Sequence, residues 1–136
     1  MSFACFVFNP IASPRFALLI HDTPRGLHYD FFLEKGGVLK TWALTQLPEL
    51  GLEIPCDALA DHRPIYLDYE GPISGGRGTV TRWDQGTYLV EVWSDDEIIV
   101  EITGAKLVGR VELRRRADLF QHWQFIWQPG NSKTGK

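Results

Sequence analysis

At 136 residues, the chain has the length of one domain and is long enough to bury a core without disulfide or metal staples. Apolar residues make up 44% and charged residues 23%, with a net charge of −3, which excludes a general basic field for nucleic acid and confines any such contact to a local patch. Cys5 and Cys56 are too few for a disulfide scaffold, Met1–Phe8 lacks the basic start of a signal peptide, and no apolar run approaches the ~20 residues of a membrane span, so a reducing cytoplasm and no membrane are expected.

Short apolar runs alternate with turn signals along the chain, the pattern of a mostly β protein. Phe16–His21 reads as a first strand, and Asp22-Thr23-Pro24-Arg25-Gly26 supplies turn chemistry. His28–Glu34 is the second strand, and Val38–Leu44 follows it after Gly36-Gly37. Asp57–Asp61 is expected to form a short helical turn and Pro64–Tyr69 a strand. Gly78–Trp83 and Thr87–Val92 flank Asp84-Gln85-Gly86, which reads as a hairpin. Glu97–Ile102, Val108–Leu113 and Trp123–Trp127 complete the set, and Gln128–Lys136 is a polar tail. Eight or nine short strands at this spacing predict a small closed or nearly closed β-barrel with short helical turns. The expected organisation is a single domain over 1–136, with its core at about 15–127 and a flexible 128–136.

The chemistry concentrates at the first hairpin. Side chains alternate faces along a strand, so His28, Asp30, Phe32 and Glu34 share one face of the second strand. The turn can bring His21 beside His28 and Asp30. Two imidazoles and one carboxylate with open positions suit a divalent transition metal that does chemistry. A polar cluster on a barrel wall is the plain alternative. Arg114-Arg115-Arg116 is a short basic run that reads either as a solvated face or as a contact for a DNA backbone.

His21-Asp22-Thr23-Pro24-Arg25-Gly26-Leu27-His28-Tyr29-Asp30-Phe31-Phe32-Leu33-Glu34, then Gly37–Ala43, Asp61-His62, Tyr66 and Asp68-Tyr69-Glu70-Gly71, resembles the 3′-phosphoesterase domain of bacterial ligase D. Gly78-Thr79-Val80, Trp83–Thr87, Leu107–Arg110 and Trp123 extend the likeness, which runs from about Arg15 to Trp127. The resemblance implies a small β-barrel with a manganese-dependent site (zinc is the alternative ion) acting on DNA 3′ ends that carry a 3′-phosphate or a 3′-ribonucleotide. A smaller phosphate ester is the other substrate class, and DNA-repair proteins are the implied partners. By position, His21, His28 and Asp30 would hold the metal, and His62 and Tyr66 would contact the scissile phosphate. His62 is the better candidate for proton transfer, since an imidazole titrates near neutrality.

Several positions depart from the family pattern: Phe32 stands where it has Arg, Leu19 where it has Gln, Gln46 where it has Lys, and Leu52-Glu53-Ile54-Pro55-Cys56 offers no match for its next basic residue. The glycine-rich loop Gly71–Gly78 is also short. Arg and Lys hold phosphate by charge-assisted hydrogen bonds, so the expected site has its metal ligands and a weakened phosphate clamp. Arg77 and Arg82, near the glycine loop, are the candidates to replace it. The expected function is a divergent metal-dependent 3′-phosphoesterase. The alternatives are a non-catalytic barrel that binds a metal or a repair partner, and a metal enzyme of another reaction class with an apolar pocket around Leu19 and Phe32.

Overall fold

The computed structural model describes residues 13–119 and 121–130. The expected polar tail beyond Gly130 and the segment Met1–Phe8 lie outside the described residues. The strands are β1 (Arg15–Thr23), β2 (Gly26–Lys35), β3 (Val38–Leu44), β4 (Glu53–His62), β5 (Gly71–Pro72), β6 (Thr79–Trp93), β7 (Glu97–Gly104), β8 (Val108–Arg115) and β9 (His122–Gln128). All pairings between them are antiparallel, in the order β1-β2-β3-β4-β9-β8-β7-β6-β5, and β1 also pairs with β6. Eight strands thus form a ring that nearly closes into a barrel, as the strand spacing predicts. Short β5 lies outside the ring on β6.

Burial divides by strand parity. Phe16, Leu18, Phe31, Leu33, Trp42 and Phe125 point inward and join residues from the other strands in one interior core. Each such side chain contributes about 1.5–3 kcal/mol when fully buried. The opposite face of β1, β2 and β3 is not left to water. Ala17, Leu19, Phe32 and Leu39 form a second apolar cluster with Leu67 and Val80, covered by Tyr66, Tyr69 and Ile73. The segment between β4 and β6 therefore crosses the outside of the barrel wall as a cover.

Three local expectations are corrected. Asp57–Asp61 is strand, not a helical turn: Ile54, Cys56 and Ala58 alternate toward the core, and β4 is hydrogen-bonded to both β3 and β9. Pro64–Leu67, expected as strand, is a 3-10 turn. Pro64 presets φ and brings no N–H to satisfy at the turn's start, and Tyr66 N donates to Arg63 O while Asp68 N donates to Ile65 O, both at 3.1 Å. Asp84-Gln85-Gly86 is no hairpin, because β6 runs unbroken through it. Gly86 is there for close approach, since a Cβ would lie 1.9 Å from the Thr103 carbonyl oxygen. Asp84 is a buried cap whose carboxylate accepts from the backbone N–H groups of Ala105, Lys106 and Leu107 at 2.9, 3.0 and 2.7 Å.

That cap should be measurable. Asp84→Ala leaves three N–H groups unpaired at the β7–β8 turn and is expected to lower stability by about 3 kcal/mol. Urea unfolding of both proteins is the check, and a loss below about 1 kcal/mol would mean the turn holds without its anion.

Candidate active site

The site lies on the outer face of β1 and β2, where the cover segment meets them. Register does the placing: His21 is opposite His28 on β2 and opposite Val80 on β6, and Leu19 is opposite Asp30. His21, His28 and Asp30 therefore converge, each offering a ligand atom within 4.8 Å of the others. The two imidazole rings stand edge to face with centroids 5.9 Å apart.

Hydrogen bonds assign the ring nitrogens. His21 Nε2 is 2.9 Å from the Arg77 carbonyl oxygen, which can only accept, so Nε2 carries a proton. Nδ1 of a neutral His21 then presents a lone pair, and it faces Asp30 Oδ2 at 3.5 Å. Two electron-rich atoms at that distance repel unless a proton or a metal ion lies between them. Asp30 is only 4% exposed, and its Oδ1 is buried with no hydrogen-bond partner. A buried carboxylate without a partner is costly. Burial pushes the Asp30 carboxyl above the ordinary carboxylate range, against the opposing pull of the three nearby histidines. An orphaned carboxylate oxygen, an oriented imidazole and a second imidazole in reach fit a divalent cation, with the Arg77 carbonyl as the outer contact that fixes one ligand.

A crevice of about 310 Å³ opens beside this cluster. Its lining includes His21, Asp30, His62, Tyr66 and Arg77, and apolar Leu19 and Phe32 make one wall. Phe32 is 1% exposed, and its ring lies 5.3 Å from that of His62. His62 ends β4 opposite Leu39. Its Nδ1 is 2.9 Å from Ala60 O and 3.2 Å from Thr41 Oγ1. Thr41 has its own proton committed to Leu39 O at 2.9 Å. Both partners accept, so Nδ1 is protonated and Nε2 is the atom left for chemistry. The Tyr66 ring stands 6.0 Å from that of His62. His28 is exposed and lines an adjoining hollow with His21, Arg25 and Arg77.

Of the two arginines expected to grip phosphate, Arg77 lines the crevice and Arg82 does not. Arg82 gives its backbone N–H to Glu70 at 2.7 Å, and its Nη1 is buried without a partner. Gln46 is exposed and bonds its neighbour Leu47. Two contributors went unassigned in the sequence. Thr41 shares the outer face of β3 with Leu39, so its parity was legible but its hydrogen bond was not. Arg63 directly follows His62, and its side chain lines the same crevice. In the basic run, Arg114 is bound to Glu97 and Glu112, and Arg116 lies near Asp118.

A β-barrel with a histidine-rich crevice in its outer wall is the class that fold and site define together. The family model for the DNA ligase D 3′-phosphoesterase domain matches residues 20–115, and the chain belongs to that family. The multifunctional non-homologous end joining protein LigD of Mycobacterium bovis is 40% identical over 100 residues, covering 65% of this chain and 13% of that protein. Its namesake in Pseudomonas aeruginosa is 36% identical over 111 residues, covering 74% of this chain and 13% of its own length. The chain thus corresponds to a small part of these relatives. Among the described residues no helix is long and apolar enough to cross a membrane.

Asp30 gives a test of the cation fit. Its carboxyl is raised in the folded, metal-free protein relative to the unfolded chain. The folded state therefore holds more protons between those two values, and metal-free stability falls as pH rises across that window. Asp30→Asn removes the buried charge. It is expected to raise the melting temperature of metal-free protein at neutral pH, with no such gain below the ordinary carboxylate range. The same variant should lose the stabilisation that added manganese or zinc confers by binding the folded state. Thermal melts with and without metal at two pH values read both effects. A variant that still gains from metal would remove Asp30 from the ligand set.

Proposed function

We propose that this chain is a metal-dependent phosphoesterase that trims DNA 3′ ends in repair, removing a terminal 3′-phosphate or ribonucleotide at a reduced rate. The observation that carries the reading is the convergence on one crevice of His21, Asp30 and a His62 held at its Nδ1. Family membership supports the substrate class, and the relatives are named for non-homologous end joining. Manganese is the ion the resemblance favours, with zinc second, and when bound it would supply Lewis-acid polarisation of a phosphoryl oxygen.

The chain's own residues would do the following. His21 Nδ1, His28 and Asp30 would hold the ion, with the Arg77 carbonyl keeping the His21 ring in its tautomer. His62 Nε2 would carry the mobile proton: protonated it hydrogen-bonds a phosphoryl oxygen, and neutral it accepts a proton from the attacking water. Its ring is held at Nδ1 by Ala60 O and Thr41 Oγ1, so no reorientation is needed during reaction. The Tyr66 hydroxyl would donate to a second phosphate oxygen. Leu19 and Phe32 exclude water from one side of the crevice. Polar interactions across it are stronger for that, but the wall offers no charge to the substrate.

The second reading, a non-catalytic barrel that binds a metal or a repair partner, is favoured by the same wall. Phe32 is buried in the outer cluster where the family pattern has Arg. The discriminating measurement is manganese-dependent phosphate release from a primer-template ending in a 3′-phosphate. Wild type should turn over slowly, and His62→Ala should lower the rate by ~10²–10⁴-fold. His28→Ala should abolish both turnover and a titratable metal site. Phe32→Arg, alone and with Gln46→Lys, should raise the rate about tenfold or more if the missing guanidinium limits it. Metal binding without turnover in any variant would establish the second reading in place of the first.

A further inference from the structure

The strand wall of the crevice carries Leu19 and Phe32 and no cation, yet the positive charge of the described residues is not spread evenly over the rest. Among the described residues, Arg15, Lys40, Arg110, Arg114 and Arg116 each lie against a carboxylate. Lys35 and Lys106 lie over the rings of Trp93 and Trp83. Arg63 and Arg77 have no such neutralising partner, and both line the crevice. Asp61, the acidic residue beside Arg63 in that lining, is taken by Lys40 at 3.2 Å. Arg25 stands in the adjoining hollow with His28 and Arg77. Among the described residues, Arg82 also lacks an ion pair, but its Nη1 is buried away from the crevice, so the exposed arginines with no carboxylate against them that line a pocket, Arg25, Arg63 and Arg77, stand at the crevice and its adjoining hollow.

The backbone holds these arginines in place without using up their charge. Arg63 is the extended residue before the 3-10 turn, with φ −76° and ψ 145°, and its side chain makes no capping bond. Its carbonyl accepts from Tyr66 N at 3.1 Å, which sets the direction in which the chain leaves His62. Arg77 is fixed twice. Its carbonyl receives His21 Nε2 at 2.9 Å, and its Nε donates to Ser74 O at 2.8 Å. The loop carrying it is pinned to β1 at Gly78, whose φ is +91° and where a Cβ would fall 1.9 Å from the Asp22 carbonyl oxygen. The guanidinium edge not turned to Ser74 is left for a ligand.

We propose that Arg63 and Arg77 are the phosphate clamp of this site. The pair sits on the cover segment at the crevice mouth and does the work that the strand face carrying Phe32 cannot do. The inference rests on the phosphoesterase reading and specifies how that site selects its substrate: a terminal phosphate is gripped from the rim, between the two guanidinium groups, with the apolar wall behind it. Guanidinium forks match phosphate geometry, and unpaired ones near a low-dielectric wall attract anions more strongly than paired ones do.

The test is equilibrium binding, in chelator and without added metal, of a fluorescent single-stranded oligonucleotide ending in either a 3′-phosphate or a 3′-hydroxyl. Wild type should prefer the phosphate end by about tenfold or more, and Arg63→Gln and Arg77→Gln should each remove most of that preference. The double variant should show none. Arg63→Lys should keep part of it, since the charge stays and the fork is lost. Arg116→Gln, outside the crevice, should bind as wild type does, and thermal melts confirm that each variant is folded. A phosphate preference that survives in the folded double variant overturns the clamp and leaves the phosphoesterase reading standing. A wild type with neither phosphate preference nor manganese-dependent turnover overturns both.

Discussion

Four consecutive residues of β1, Phe16–Leu19, are buried on alternate sides of one strand, so the barrel wall has to be covered from outside as well as filled from within. Phe16 and Leu18 belong to the interior core, whereas Ala17 and Leu19 belong to the outer cluster. That second cluster cannot exist without the segment from Arg63 to Gly78, which lays Leu67, Tyr66, Tyr69 and Ile73 over it. The pairing of β4 with β3 places His62, and the cover brings Arg63 and Arg77 to the edge of a strand pair that already holds His21 and Asp30. Apolar burial and functional geometry are one arrangement here, and the hydrogen bond from His21 Nε2 to Arg77 O is the stitch between them.

The same arrangement explains why the electrostatics are unfinished. A carboxylate 4% exposed, with one oxygen unpartnered and the other facing an imidazole nitrogen, is an expensive thing to fold around. Natural structures satisfy nearly all their buried polar groups, and here Trp42 Nε1 and Arg82 Nη1 are also buried without a hydrogen-bond partner, but the other buried aspartate is fully served. Asp84, equally buried, receives three backbone N–H bonds. The contrast between two buried aspartates in one sheet is informative. One is met by three N–H groups of the β7–β8 turn, and the other has an oxygen with no hydrogen-bond partner and three histidines nearby.

The barrel was legible because strand parity and turn residues carry it: β1, β2, β3, β7, β8 and β9 lie where alternation and Gly or Pro signals place them. The metal-type cluster was legible for a related reason. His28 and Asp30 share a face by period, and a short turn delivers His21. What the sequence hid was tertiary in origin. Asp57–Asp61 has a composition compatible with a helical turn, and only pairing with β3 and β9 holds it extended. Gly86 looks like a turn glycine, yet it serves the approach of Thr103 from the next strand. Arg63 beside His62 carried no signal in its spacing. Its role depends on where Lys40 and the other cations spend their charge, and that is decided in three dimensions.

An apolar residue at Phe32 changes the site in two opposing directions. It leaves that strand face without the guanidinium that the resemblance implies there. It also adds a buried aromatic ring 5.3 Å from His62, lowering the dielectric in which Asp30, His21 and any rim cation interact. Charge interactions scale inversely with that dielectric, so an arginine reaching the crevice from the solvent side gains strength from that apolar wall. Moving the clamp from strand to cover also changes what holds it. A strand residue is fixed by hydrogen bonds on both sides, whereas Arg63 and Arg77 depend on a 3-10 turn and on a 71–78 segment held by the short β5–β6 pairing, by Ile73 N to Gly78 O at 2.7 Å and by His21 to Arg77 O. The His21 ring and the loop that presents Arg77 are therefore coupled through one carbonyl: whatever fixes the one also fixes the other.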